Sequence, residues 1–152
     1  MSAKNTVLIL IIFLTAVSAT AQENWNSLTN WIGRYPTDGK GNFFKLPAIQ
    51  NRLRNLLSKE DFKHLTKELL IEHQIENIKG YLVVEVSLEH CSPCDNAMLA
   101  LNFKSGAMHV GFYKHESHRE IARWFYSQPK DEPDDLPKEV SYEFLYMHEP
   151  KL

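Results

Sequence analysis

Between residues 47 and 70, apolar residues recur at the three- and four-residue intervals of an amphipathic helix. The first set is Ile49, Leu53, Leu56 and Leu57, and the second set is Phe62, Leu65, Leu69 and Leu70. Ser58 and Asp61, between the two sets, resemble a capping box with Asp in place of Glu, which begins a helix. The pattern predicts two consecutive helices, each with one apolar face, after an irregular lead-in rich in Gly, Pro, Asn and aromatic residues.

From Gly80 onward the apolar period is two. In "YLVVEVSLEH" the even positions from Leu82 to Leu88 are apolar, whereas the odd positions include Glu85 and Glu89, so we expect a strand with one buried face. "AMLALNF" and "AMHVGFYK" also alternate, and "KSG" joins them. Gly106 can adopt the positive φ of a tight turn, so these two runs predict a β-hairpin.

The C-terminal region gives weaker patterns. "SHREIARWFYSQ" fits either a short helix capped by Ser117 and Glu120 or a strand. "PKDEPDDLPKE" reads as a solvated loop, and "VSYEFLYMH", from Val140, as a final strand. The predicted fold class is therefore α+β, with N-terminal helices packed on a mostly antiparallel β-sheet.

The first 21 residues have the pattern of a cleavable signal peptide. Lys4 precedes the apolar run Val7–Val17, and Ala19-Thr20-Ala21 follows as a small-residue cleavage site. A single membrane anchor is the alternative, but the run is about half of the roughly 20 residues that a spanning helix needs. Residues 22–152 then leave about 130 residues, enough for one compact domain. We expect a periplasmic or secreted protein that is free of the membrane after cleavage.

The formal net charge of −2 excludes little beyond nucleic-acid binding, which normally needs a basic face. No cofactor motif or internal repeat is present in the sequence, so we expect no cofactor. The oligomeric state is left open between a monomer and a homodimer.

The stretch "LEHCSPCDN" carries the chemistry that stands out. Cys91 and Cys94 are the two cysteines of the chain, and in an oxidising compartment such a pair most simply forms a disulfide. Its closed loop is too small to restrict the unfolded chain much, so the main effect would be to stiffen residues 90–95. Three interpretations remain: a redox site, a metal site or a loop presented to another protein.

A thiol–disulfide oxidoreductase needs its first thiol at a helix N-terminus, which lowers the pKa of that thiol. The residues after Cys94 alternate instead of showing a helical period, so a structural disulfide fits with fewer demands. A zinc site could combine the cysteines and His90 with His109, His115 or His118, but a second ligand pair at the usual spacing is missing. We therefore predict no metal.

As a presented loop, the stretch would be limited by the disulfide and by Pro93, and a preorganised loop loses less entropy on binding. His90 could donate and accept hydrogen bonds with carboxyl groups, although a histidine that only caps a turn is the plainer interpretation.

The run "EHCSPCDNAMLALNFKSGAMHVGFY", together with the upstream "WIGRYP", resembles the inhibitor of vertebrate lysozyme family of periplasmic proteins, over roughly Trp31 to Tyr113. In that family a disulfide-closed loop enters the active-site cleft of a c-type lysozyme, and its histidine bonds to the catalytic carboxyl groups. The resemblance implies that role for His90, with Cys91 and Cys94 as the clamp. In the family the histidine lies inside the disulfide-closed ring, with the cysteines five positions apart. Here His90 lies just outside a tighter ring. When the histidines are aligned, Ser87 and Ser92 stand where the family has cysteines.

We therefore expect a non-enzymatic protein that binds lysozyme or a related peptidoglycan hydrolase and inhibits it. The expected partner-binding residues are Glu89, His90, Ser92, Pro93 and Asp95. The alternatives are a periplasmic thiol–disulfide oxidoreductase and a structural envelope protein without an enzyme partner.

Overall fold

The computed structural model describes residues 25–39, 41–90, 95–114, 122–127 and 136–140. The predicted signal peptide, Ser92, Pro93 and both cysteines lie outside these residues. So do Ser117, Glu120 and most of the predicted final strand. Within the described ranges, no helix has the length and apolar character needed to cross a membrane.

The N-terminal part is more regular than the sequence indicates. Trp25–Trp31 forms a 3₁₀ helix that buries Trp25, Leu28 and Trp31. A two-residue strand pair, β1 (Thr37–Asp38) and β2 (Gly41–Asn42), follows, and a 3₁₀ turn at Phe43–Lys45 leads into the first long helix. The aromatic residues therefore join the core rather than a loose lead-in.

Two helical segments follow where the apolar spacing predicts them. Helix α1 spans Pro47–Leu56, with Pro47 in its first turn. Helix α2 spans Lys59–Lys63 and continues into a π-helical turn at His64–Glu68. The amide of Asp61 donates to Ser58 Oγ at 3.0 Å, which confirms the cap at Ser58. Leu70 differs from the prediction: because the helical turns end at Glu68, the chain extends at Leu69 and Leu70 is 61% exposed.

Within the described residues the main sheet has six strands, and every described pair is antiparallel. They are β3 (Ile71–Glu72), β4 (Glu76–Ile78), β5 (Tyr81–Ser87), β6 (Asp95–Asn102), β7 (Met108–Lys114) and β8 (Arg123–Tyr126). Their order is β3-β5-β6-β7-β8, and β4 also pairs with β5. The predicted α+β class and the β6–β7 hairpin are confirmed, and the ambiguous run near Trp124 is a strand.

The expectation of one buried face on β5 is wrong, because both faces of the sheet are covered. Across one face, Val84 of β5, Leu99 of β6 and Val110 of β7 lie in register and pack with the helices. On the other face, Tyr81 and Met98 belong to a second apolar cluster. Alternation alone could not reveal this second cover, because it comes from residues later in the chain.

Leu136 and Val140 supply part of that second cover. Leu136 is 4% exposed, so this end of the predicted solvated loop is buried. Val140 lies in a helical turn at residues 138–140, where its amide donates to the Pro137 carbonyl at 2.8 Å, and not at the start of a strand. An acidic, proline-rich stretch has no periodic pattern of apolar residues, so the burial of Leu136 could not be predicted from the sequence.

Candidate protein-binding loop

The candidate loop, residues 89–94, connects β5 to β6, two neighbouring strands of the main sheet. Pairing continues to the last residue of β5, Ser87, which lies opposite Asn96, the second residue of β6. One further hydrogen bond closes the loop, from the Leu88 amide to the Asp95 carbonyl at 2.8 Å. Both ends of the loop are therefore fixed by a continuous antiparallel ladder.

His90 projects from the start of this loop. Its backbone is in the left-handed region, with φ of 63°, and 91% of its side chain is exposed. Its Nε2 lies 3.6 Å from Oε1 of Glu89, which is 58% exposed, so this contact is a solvated pair that contributes little. A non-glycine residue with positive φ is uncommon, although histidine is one of the residues enriched there. The imidazole is free to meet another molecule.

Of the other predicted partner-binding residues, Ser92 and Pro93 lie outside the described residues, as do Cys91 and Cys94. Asp95 is described, and it faces inward. It is 7% exposed, and its Oδ1 lies 2.8 Å from Nε2 of His64. Contact between Asp95 and a partner stays a prediction, but its position makes it a support for the end of the loop.

His64 links the loop to the helical layer. Its Nε2 faces Asp95, and its Nδ1 lies 2.9 Å from Oε2 of Glu68, one turn further along the π-helical segment. Lys63 Nζ donates to the other oxygen of Glu68 at 2.5 Å. The His64 ring also lies against Phe112 of β7, with 6.0 Å between ring centroids. The cluster of Lys63, His64, Glu68 and Asp95 therefore ties the helix to the first residue of β6.

The charges of this cluster stabilise one another. Burial opposes the charge on His64, but the hydrogen bonds to Glu68 and Asp95 outweigh it and raise the pKa of His64 above its usual 6.5. The hydrogen bonds from Lys63 and His64 lower the pKa of Glu68 to about 2. Both groups are therefore charged under mildly acidic conditions, when each ring nitrogen of His64 can donate to a carboxylate.

The structure also bears on the redox and metal interpretations. Asp95 begins strand β6, so the chain is extended where an oxidoreductase needs a helix N-terminus. His109 is 1% exposed within β7, five residues before Lys114, and thus about 17 Å along the strand from the loop end of the sheet. Among the described residues, no three His, Cys, Asp or Glu side chains are grouped to hold a metal ion.

The cluster of Lys63, His64, Glu68 and Asp95 was not predicted from the sequence. The i,i+4 spacing of His64 and Glu68 was a visible signal for a helical pair. The contact with Asp95 spans 31 positions and carries no local signal. It exists only because the π-helical turn packs over the ends of β6 and β7.

Comparisons of the chain with protein-family models, with curated proteins and with solved structures found no match. The resemblance to lysozyme inhibitors therefore rests on the sequence motif alone.

Proposed function

We propose that this chain is an exported inhibitor of a lysozyme-type peptidoglycan hydrolase, which it blocks by placing His90 in the active-site cleft. The observation that carries the proposal is the placement of His90. Its side chain is 91% exposed, it has positive φ, and it lies three residues after Ser87, where β5 ends paired with β3 on one side and β6 on the other. A rigid strand end with one projecting polar side chain has the shape of a wedge.

The chemistry of such hydrolases explains why histidine suits this position. Glycosidic bonds are cleaved between two carboxyl groups, one acting as an acid and the other as a nucleophile or base. An imidazole can donate to one carboxylate and, when protonated, to both. A histidine placed between them would therefore satisfy the two groups and exclude the sugar.

Rigidity at the base of the loop supports the same role. The Leu88–Asp95 hydrogen bond and the His64–Asp95 contact fix the residues that flank the loop before any partner arrives. A preordered loop loses less conformational entropy on binding, which favours tight association through a small contact area. The Cys91–Cys94 disulfide, proposed from the sequence, would extend this order to the tip.

The oxidoreductase alternative receives less support. Its mechanism requires a helix dipole at the first thiol, and β6 begins directly after the second cysteine. A disulfide that only clamps the loop needs no such environment.

The decisive experiment is inhibition of c-type and g-type lysozymes by the mature protein, titrated with and without reductant. We expect tight inhibition of one class that weakens on reduction. Inhibition of neither class would contradict the proposal and favour a thiol exchange protein or a structural envelope protein. Rapid exchange of the disulfide with dithiols would identify the former.

The role of His90 is tested by His90→Ala and His90→Asn. Loss of a side chain that satisfies buried carboxyl groups should weaken inhibition by on the order of 2 kcal/mol or more. Asparagine tolerates positive φ, so His90→Asn controls for the backbone and should lose affinity while the stability of the fold is retained. Unchanged inhibition by His90→Asn would refute the role assigned to the imidazole.

A further inference from the structure

A second surface feature lies between helix α1, helix α2 with the π-helical turn that continues it, and the β2 region. It is a cleft of about 570 Å³. This volume lies within the range of clefts that hold small ligands. The cleft is lined by Asn42, Phe44, Lys45, Gln50, Arg54, Lys59, Phe62, Lys63, Thr66 and Lys67.

The charge of this cleft is one-sided. Among the lining residues that the structure describes, half are cationic and none is acidic, although the whole chain has a net charge of −2. Lys59, Lys63 and Lys67 recur every four residues, so they follow one another at about one-turn intervals along α2 and its π-helical continuation. Such a concentration of like charge on one concave surface attracts anions and raises their local concentration.

Most of these cations are available to a ligand. Lys63 is paired with Glu68. Lys45, Lys59 and Lys67 are exposed and have no ion pair within the part of the chain that the structure describes. The guanidinium of Arg54 lies over the ring of Phe62, 4.7 Å from its centroid. The Arg54 charge is thus held at the cleft by an aromatic face and not by an acid.

Neutral groups of the lining narrow the ligand class. Asn42, Gln50 and Thr66 bring amide and hydroxyl groups, and the Thr66 hydroxyl, which donates to the Phe62 carbonyl, can still accept a hydrogen bond. Phe44 and Phe62 add apolar rings. These groups complement an anionic sugar. The cations can pair with its acid groups, the amides can bond to its hydroxyls, and the aromatic rings can pack against the C–H face of a sugar ring.

We propose that this cleft binds an anionic oligosaccharide, a sugar chain that carries sulfate, phosphate or carboxylate groups. The acid groups pair with Lys59, Lys67 and Lys45, and the sugar ring lies against Phe62. This site goes beyond the proposed inhibition of a hydrolase. Neither Glu89 nor His90, the two loop residues that the structure describes, lines the cleft, so failure of one proposal leaves the other standing.

The test is calorimetric titration of the full mature protein with a heparin-derived sulfated tetrasaccharide, at low and high salt. The matched probes are neutral maltotetraose, inorganic tripolyphosphate and a hexaglutamate peptide. We expect saturable, salt-sensitive binding of the tetrasaccharide, with weaker binding of each other probe. Absence of tetrasaccharide binding would overturn the proposal, and tripolyphosphate or hexaglutamate binding at equal strength would overturn the assignment to a sugar.

The site is located by Lys59→Gln with Lys67→Gln, which should weaken tetrasaccharide binding about 10-fold or more, since two charge-assisted contacts are lost. The matched control is Lys104→Gln with Lys114→Gln, which removes the same charge from exposed positions outside the cleft. The control should bind like the parent protein. An equal loss in both variants would show attraction by net charge alone and would contradict a site in the cleft.

Discussion

Ser87, next to the loop, is a buried polar residue whose lost contacts with water are not replaced by a hydrogen bond within the described residues. Ser87, at the end of β5, is 2% exposed, and its Oγ has no hydrogen-bond partner among the described residues. A buried hydroxyl without a partner has lost its contacts with water and gained none in return. Its removal should therefore cost nothing.

We expect Ser87→Ala to leave the free energy of unfolding unchanged or to raise it by about 1 kcal/mol. Denaturant unfolding of the mature protein measures this change. Ser58→Ala is the matched comparison, because the Ser58 hydroxyl caps α2, and we expect its loss to cost about 1 kcal/mol. A clear loss of stability in Ser87→Ala would mean that its hydroxyl has a structural role.

At the scale of elements, the β6–β7 hairpin depends on a glycine for two separate reasons. Gly106 has φ of +70°, and its amide donates to the Asn102 carbonyl at 2.8 Å to close the turn. A Cβ at this position would also clash with the indole nitrogen of Trp25. Arg52 lies over the same indole, 4.6 Å from the ring centroid, and also donates to the Gly106 carbonyl, so the indole is held in a packed position.

Gly106→Ala should therefore destabilise the fold by about 2 kcal/mol or more, from backbone strain and from displacement of Trp25. Gly80→Ala separates the two effects, since Gly80 has φ of +83° but open space around its Cβ position. We expect about 1 kcal/mol for Gly80→Ala, from strain alone. Equal losses in thermal or denaturant unfolding would contradict the contribution of Trp25.

The elements that the sequence predicts are those with long, local patterns. The two helices, the Ser58 cap and strands β5 to β7 follow from spacing and turn chemistry within a few residues. The short strands β3 and β4 do not, because two or three residues cannot display a period. Strands β3 and β4 form because their backbone groups pair with the N–H and C=O groups along the edge of β5.

The candidate site divides in the same way. His90 was found because it adjoins a cysteine pair, and its exposure agrees with a presented residue. The inward orientation of Asp95 was not foreseen, since it depends on His64, which lies far away in sequence. The basic cleft was also missed, because its lysines come from segments that look like ordinary solvated helix faces.

At the scale of the whole molecule, the His64 cluster makes stability depend on pH. The pKa of His64 is raised in the folded state, so the stabilisation from His64 is complete below its unfolded value near 6.5 and is lost as the pH rises through the higher folded value. The pKa of Glu68 is lowered from 4.5 to about 2, so its stabilisation is complete above 4.5 and is lost as the pH falls toward 2. Together, these two groups stabilise the fold most between these limits.

The free energy of unfolding should therefore be higher at a pH between 4.5 and 6.5 than in mildly alkaline solution, because the raised pKa of His64 makes its stabilisation decline as the pH rises. His64→Gln lacks the imidazolium charge, so the decrease in the free energy of unfolding that His64 causes at alkaline pH should disappear. His73→Gln is the control, since His73 lies outside the cluster. An equal dependence of the unfolding free energy on pH in His64→Gln and in the parent protein would contradict a stabilising charge on His64 between the helix and β6. If His64→Gln removes this pH dependence, hydrolase inhibition measured over the same pH range shows whether the order of the loop depends on the contact between His64 and Asp95.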